Sequence, residues 1–239
     1  MNYNTSVPEE LQWLKNLPDE ANVVTEPQKF LEHLAKHWKA KILMVSASVS
    51  SKEYLDVVSV AGLEKGKIVK KVQFLSDSVA GMVWRSRKHL LLERVANASE
   101  TQKRMLLSLF PRITSYLAFP LFAGSELYGV IELLDNNEGR LWDFRDVQKF
   151  QRQIPFLYPY FVHLVQFYAH QSAQNLLHQV ISIGQHLGKE KEVLSIIRYS
   201  EEQIRNLVQA EHSCILLYDE SRTYLYSPVG TTEKKVSPG

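Results

Sequence analysis

The sequence predicts an α+β fold: an antiparallel sheet of five or six strands with helices packed on one face, followed by a long helix. Three observations lead there. Tyr116 to Leu134 (YLAFPLFAGSELYGVIELL) is two apolar runs joined at Ala123-Gly124-Ser125-Glu126. Gly and Ser mark a turn, and β-branched, aromatic and leucine residues fill the flanks, so the stretch reads as a β-hairpin buried on at least one face. Lys41–Val49 and Tyr54–Ala61 make a second pair of this kind. After Asp143 the period changes. Phe150, Ile154, Leu157, Phe161, Leu164 and Tyr168 recur four and three residues apart, as on one face of a helix.

Taken in order, Pro8 and Pro18 bracket a short helical segment. Thr25-Glu26-Pro27-Gln28 is a helix start, with Thr25 as cap and Gln28 reaching back to complete a capping box. That helix runs to about Lys39 and buries Phe30, Leu31, Leu34 and Trp38. Lys67–Phe74 is a third, more charged strand after the first pair. Ser76-Asp77-Ser78 offers caps for a helix over Val79–Arg87, His89–Val95 is a short strand, and Ala96–Glu100 is a loop. Thr101–Phe110 is a helix that stops before Pro111.

Within the hairpin, Tyr116, Ala118 and Pro120 point one way and Leu117, Phe119 and Leu121 the other. Pro120 has no N–H for a ladder bond and belongs at an edge or a bulge. Gly129, lacking a side chain, lets a neighbour approach its strand closely. Pro155 and Pro159 are expected to kink or interrupt the long helix. Beyond them Ala169, Ala173, Leu176, Val180, Ile183 and Leu187 form a second stripe, one position out of step with the first. Such a helix packs on its own domain first and on another helix later. Residues 190–210 form a further amphipathic helix, and Cys214–Tyr218 with Tyr224–Tyr226 repeats the helix–hairpin order of residues 30–61. A piece of roughly 50 residues cannot bury a core of its own. The chain therefore reads as an N-terminal segment (1–25), a complete domain (26–150), a connecting helix (151–189) and the start of a second, incomplete domain (190–239) of a longer protein.

Composition narrows the function. The net charge of +2 and the lack of a dense Lys/Arg run argue against nucleic acid, and no apolar run reaches the length of a membrane span. The lone cysteine, Cys214, excludes an internal disulfide and a thiolate zinc site and fits a reducing cytoplasm.

Ser115-Tyr116-Leu117-Ala118-Phe119-Pro120-Leu121, a short turn, then Gly129-Val130-Ile131-Glu132-Leu133 resembles the core signature of GAF domains, small-molecule sensor and dimerisation modules. Element order over roughly residues 26 to 170 agrees, and the resemblance implies a GAF/PAS-like sheet. It also implies that the N-terminal end of the Val79–Arg87 helix faces a ligand pocket, lined here by Phe74, Val79, Trp84, Tyr116 and Phe119. An aromatic-lined pocket suits a planar ligand, although the same aromatics also serve as plain core. The cofactor is unknown. Cyclic-nucleotide-binding members place Asn-Lys, Phe and Asp-Glu at positions that fall here on Asp135, Asn136, Trp142, Asp146 and Val147. Only the first acid, Asp146, survives, and the family's Lys–Asp pair cannot form from Asn136, so a cyclic nucleotide is a candidate with an incomplete motif.

The remaining chemistry is sparse. His33 and His37 lie one helical turn apart but have no evident third ligand for a metal. His163, His170, His178 and His186 drift around the helix and read as solvated positions. A methionine sulfoxide reductase of this family needs paired cysteines, and a bilin needs one in the first domain. Haem through His89 has no supporting feature. Arg85, Arg87 and Lys88 suit a helix C-terminus. No catalytic site is expected. The expected function is that of a cytoplasmic sensory module: a small molecule or partner in the pocket shifts a dimerising helix (Phe161, Leu164, Tyr168, Leu176, Val180 and Ile183), which passes the signal to a cyclase, phosphodiesterase, kinase or phosphatase output. A homodimeric scaffold with a filled core and no ligand is the alternative.

Overall fold

The computed structural model describes residues 12–13, 27–62, 72–189, 192–208, 212–219, 222 and 224–228. Thr25, Pro8, Pro18 and the first part of the third strand, 67–71, lie outside them. Residues 1–169 and 170–239 are two compact units.

The first unit begins with α1 (Pro27–Trp38), β1 (Ala40–Ala47), β2 (Tyr54–Ala61) and β3 (Val72–Phe74). It continues with α2 (Val79–Ser86), β4 (Leu90–Leu92), a 3-10 turn (Val95–Asn97), α3 (Glu100–Leu109), β5 (Tyr116–Ala123) and β6 (Glu126–Asn136). The helix α4 spans Phe144–Leu187. The strands form one six-stranded sheet in the order β3-β2-β1-β6-β5-β4, with every pairing antiparallel.

The hairpin sits near the centre of this sheet because both its faces are apolar. On one face Leu117, Phe119, Leu121, Ile131 and Leu133 pack with Leu43 and Val45 of β1 against α1 and α4. On the other, Tyr116, Ala118, Val130 and Leu134 pack with Val79, Ala80 and Val83 of α2 and Leu106 of α3. Pro120 lies past the end of β4, which pairs only with Tyr116–Ala118, and one residue before a register shift at Leu121/Phe122. There its missing N–H leaves no gap in the ladder. The close neighbour of Gly129 is β1: a Cβ built there stands 2.8 Å from the Ser46 carbonyl oxygen. Gly129→Ala should therefore cost about 2 kcal/mol by overpacking, read as a lower midpoint in urea unfolding.

The capping box expected between Thr25 and Gln28 falls on Thr25, outside the described residues; Gln28 itself faces β2. Its Nε2 donates to the Val60 carbonyl at 2.8 Å and its Oε1 accepts from Ser59 Oγ, tying α1 to β2. The long helix is capped by Asp143, whose Oδ1 accepts from the N–H groups of Arg145 and Asp146. It continues through Pro155 and Pro159 without interruption. Val147, Phe150, Leu157, Phe161 and Leu164 bury its first half against the sheet, and Gln153 accepts a buried hydrogen bond of 2.7 Å from Trp38 Nε1. Phe161 and Leu164, expected on the dimer face, are thus core residues of their own domain, in line with their place in the first stripe of the helix. Tyr168 and Ile183 are half-buried, and Leu176 and Val180 are each 50% exposed.

In the second unit α5 (Val193–Val208) follows, and β7 (Leu217–Tyr218) pairs with β8 (Leu225–Tyr226). Both strands are shorter than the runs 214–218 and 224–226. His186 stacks on Tyr199 with ring centroids 3.8 Å apart. Cys214 is exposed. No helix among the described residues is long and apolar enough to cross a membrane.

Candidate functional site

The α2–α3 face of the sheet carries one group that does not belong to an apolar core. Glu132 of β6 is 2% exposed, flanked on its strand by Ile131 and Leu133. Alternation along β6 turns it toward α2 and α3, on the side of Val130 and Leu134. Three neutral side chains meet it. Tyr116 Oη donates to its Oε1 at 2.8 Å, and Gln73 Nε2 donates to its Oε2 at 2.7 Å. The same Gln73 nitrogen lies 3.0 Å from Ser46 Oγ. Burial lifts the Glu132 carboxyl to about 7, although the bonds from Gln73, Tyr116 and Ser46 pull the other way. Burial, together with the Glu132 charge, raises the Tyr116 phenol well above its ordinary value.

Gln73 connects this buried cluster to a cleft of about 240 Å³ lined by Val72, Gln73, Phe74, Asp77, Ser78, Arg104, Met105, Ser108 and Leu109. The cleft lies between β3, the start of α2 and α3. Its shape is set by two local devices. Ser78 caps α2, accepting from Gly81 N at 2.9 Å while donating to the Phe74 carbonyl at 2.7 Å. Gly81 allows α2 to press on β3's exit: a Cβ there would overlap the Leu75 carbonyl oxygen. Ser99 and Gln102 form a full capping box at the start of α3.

The residues expected to line one pocket fall into three groups. Phe74 is 54% exposed and does line the cleft. Val79, Trp84 and Tyr116 belong to the core between the sheet and α2, with Trp84 half-buried. Phe119 is on the opposite face, packed edge-on against Phe150 of α4. It follows Tyr116 by three positions, an odd step along the strand, so the two cannot share a pocket. Sequence reading missed Glu132, Gln73, Ser46 and Arg104. The one available signal was an acid inside an otherwise apolar strand, which burial makes costly unless hydrogen bonds meet it.

The positions of the incomplete cyclic-nucleotide motif are structural. Asp135, at a φ of 49°, accepts from Thr114 N, Thr114 Oγ1 and Ser115 N. Trp142 and Val147 are buried. Asp146 finds its cation within its own connection: Arg140 binds it through two bonds of 2.6 Å. Burial pushes the Asp146 carboxyl up, but the hydrogen bonds and charge of Arg140 hold it below the usual range. Arg87 donates to the Ser125 carbonyl and lies over Phe122, clamping the hairpin turn. His37 stacks on Trp13, while His33 is exposed. Among the described residues no group of three His, Cys, Asp or Glu side chains is placed to hold a metal.

The sheet order, with α1 and α4 on one face and α2 and α3 over the other, makes this a GAF-like α+β fold, the class the hairpin motif resembles. Similar solved structures include the GAF domain of a phosphoenolpyruvate-protein phosphotransferase from Coxiella burnetii, 16% identical with a TM-score of 0.48, covering 70% of this chain and 98% of that one. A GAF domain/HD domain protein from Geobacter sulfurreducens is 14% identical with a TM-score of 0.44, over 66% of this chain and 96% of its own. Free methionine-R-sulfoxide reductase from Neisseria meningitidis is 14% identical with a TM-score of 0.49, over 68% of this chain and 95% of its own. No protein-family model and no curated protein matches the chain.

Proposed function

We propose that residues 26–150 are a cytoplasmic sensory domain. It holds a small molecule in the cleft between β3, α2 and α3, and α4 relays occupancy to a paired copy of the chain and to a cyclase, phosphodiesterase, kinase or phosphatase output. The observation that carries this reading is Gln73, which lines the cleft and is hydrogen-bonded to Glu132 in the middle of the sheet. An occupant that moves Gln73 acts on β6. The other face of β6 supports the helix that leaves the domain.

Pairing through α4 is favoured by Leu176, Leu177, Val180 and Ile181, which are 46% to 59% exposed. Apolar residues at this spacing are buried when two helices associate. The connecting helix and the start of a second domain at 190–239 complete the proposed relay.

Native mass spectrometry of the full chain tests both parts. A dimer carrying a co-purified small molecule is expected. Ser108→Trp, which fills the cleft, should remove the small molecule and leave the dimer. Leu176→Glu with Val180→Glu should give monomers that keep the small molecule. A dimer that persists in the double variant overturns the pairing. A chain that binds nothing, with Ser108→Trp unchanged in stability and downstream response, favours the ligand-free scaffold instead.

A further inference from the structure

We infer that the cleft takes an amphoteric molecule of amino-acid size, its protonated nitrogen directed to Gln73 and Asp77 and its acidic group to Arg104. This rests on the reading above that the cleft binds a ligand, and it specifies the ligand's chemistry.

The inference comes from asking which polar atoms of the lining are already committed. The Ser78 hydroxyl donates to the Phe74 carbonyl and accepts from Gly81 N. The Ser108 hydroxyl donates to the Met105 carbonyl at 3.0 Å. The Gln73 nitrogen faces Glu132 and Ser46. With its nitrogen used inside the sheet, Gln73 has its carbonyl oxygen left to offer, and a carbonyl oxygen accepts. The charged residues of the lining are Asp77, whose carboxylate is a second acceptor, and Arg104, whose guanidinium is a fork of donors. Among the described residues no ion pair engages either charge. The cleft therefore presents two acceptors, one of them charged, and one cationic donor.

A simple anion would answer Arg104 but meet Asp77, and a simple amine would do the reverse. A molecule carrying both groups satisfies both. Val72, Phe74, Met105 and Leu109 provide apolar wall for a carbon body between them. The volume of about 240 Å³ points to a small metabolite. Drug-sized ligands occupy roughly 300 Å³ and more, and a cavity of about 150 Å³ accommodates a benzene ring.

Glu132 fixes this selectivity from below. The Glu132 Oε2 that accepts from Gln73 Nε2 holds that nitrogen toward itself and so turns the carbonyl oxygen the other way. The groups facing Glu132 are Tyr116 from β5, Gln73 from β3 and Ser46 from β1, while α2 contributes only apolar Val79, Ala80 and Val83. Further out, the cleft adds Asp77 and Arg104.

The test is calorimetric titration of the full chain with the free proteinogenic amino acids, repeated with the N-acetyl derivative and the methyl ester of the best binder. The expected result is binding by one or more apolar amino acids. Removing either charge from the ligand should weaken it at least about tenfold, as loss of a charge-assisted contact does. Arg104→Ala should make acid and ester bind alike, and Asp77→Asn should make amine and N-acetyl forms bind alike. Both side chains lie on the surface, so these variants keep the fold intact. A cleft ligand identified by native mass spectrometry that lacks either charged group overturns the inference but leaves the cleft reading standing. If no amino acid binds and Ser108→Trp also changes nothing, the cleft reading itself falls.

Discussion

Phe150→Ala should destabilise the protein by about 4 kcal/mol, within the range for emptying a buried aromatic site. Phe150 is 1% exposed at the start of α4. Its ring lies 4.7 Å from that of Trp38, 5.9 Å from Trp142 and 6.2 Å from Phe119 (centroid to centroid), the last two edge-on. These contacts join α1, the connection before α4, β5 and α4 at one point. Aromatic pairs of this geometry add to the area they bury. Because Trp38 also bonds Gln153 one turn further along α4, the surrounding structure has little freedom to collapse into the cavity. Urea unfolding gives the free energy, and hydrogen exchange over residues 144–164 reports whether the helix loosens first. A loss below about 1 kcal/mol would mean that α4 is fastened elsewhere.

The second large effect depends on pH. Glu132 titrates at about 7 in the folded protein and near 4.5 in the unfolded chain, because burial disfavours its charge. The folded state then binds more protons between these values, so its stability falls as pH rises from 4.5 through 7. Glu132→Gln removes the titration but keeps the bonds: its carbonyl accepts from Gln73, and its nitrogen donates to a Tyr116 hydroxyl that has turned around. Relative to the unsubstituted protein the variant should be nearly neutral at pH 5. By pH 8 it should be more stable by up to roughly 3 kcal/mol, the free energy of the shift. His37, held down at about 4 by burial and by Lys149, makes stability rise with pH between about 4 and 6.5. That contribution is common to both proteins and cancels in the difference. A difference that does not change between pH 5 and 8 would place the Glu132 proton equilibrium elsewhere.

The sheet was legible because each strand is short, apolar and bounded by turn residues, and because Gly124-Ser125 left one reading for the hairpin. The alternation along β5 was legible too, and it already placed Tyr116 and Phe119 on opposite faces; the resemblance to a family pocket overrode it. The inward face of α4 was read from its spacing. The spacing did not say that Phe161 and Leu164 stay within their own domain, since a buried stripe looks the same whichever surface buries it. Glu132, Gln73 and Ser46 lie on three strands far apart in sequence, and only the pairing of β1 with β6, of β1 with β2 and of β2 with β3 brings them together. Arg140 shows a further limit. The family's cation was sought after the last strand at Asn136, but the partner of Asp146 comes from the following connection, where spacing to a motif gives no guidance.

Pro155 and Pro159 have a consequence for how α4 comes apart. Each lacks the N–H that the carbonyl four residues earlier requires, so the oxygens of Gln151 and Pro155 have no partner within the helix. Both prolines face solvent, and water can meet those oxygens. The helix is continuous in shape, but its hydrogen-bond ladder is two bonds short in this turn. Fraying that starts at the far end meets no buried side chain until Leu164, so the turns carrying Leu176 and Val180 should open at lower cost than those held by Phe150 and Leu157.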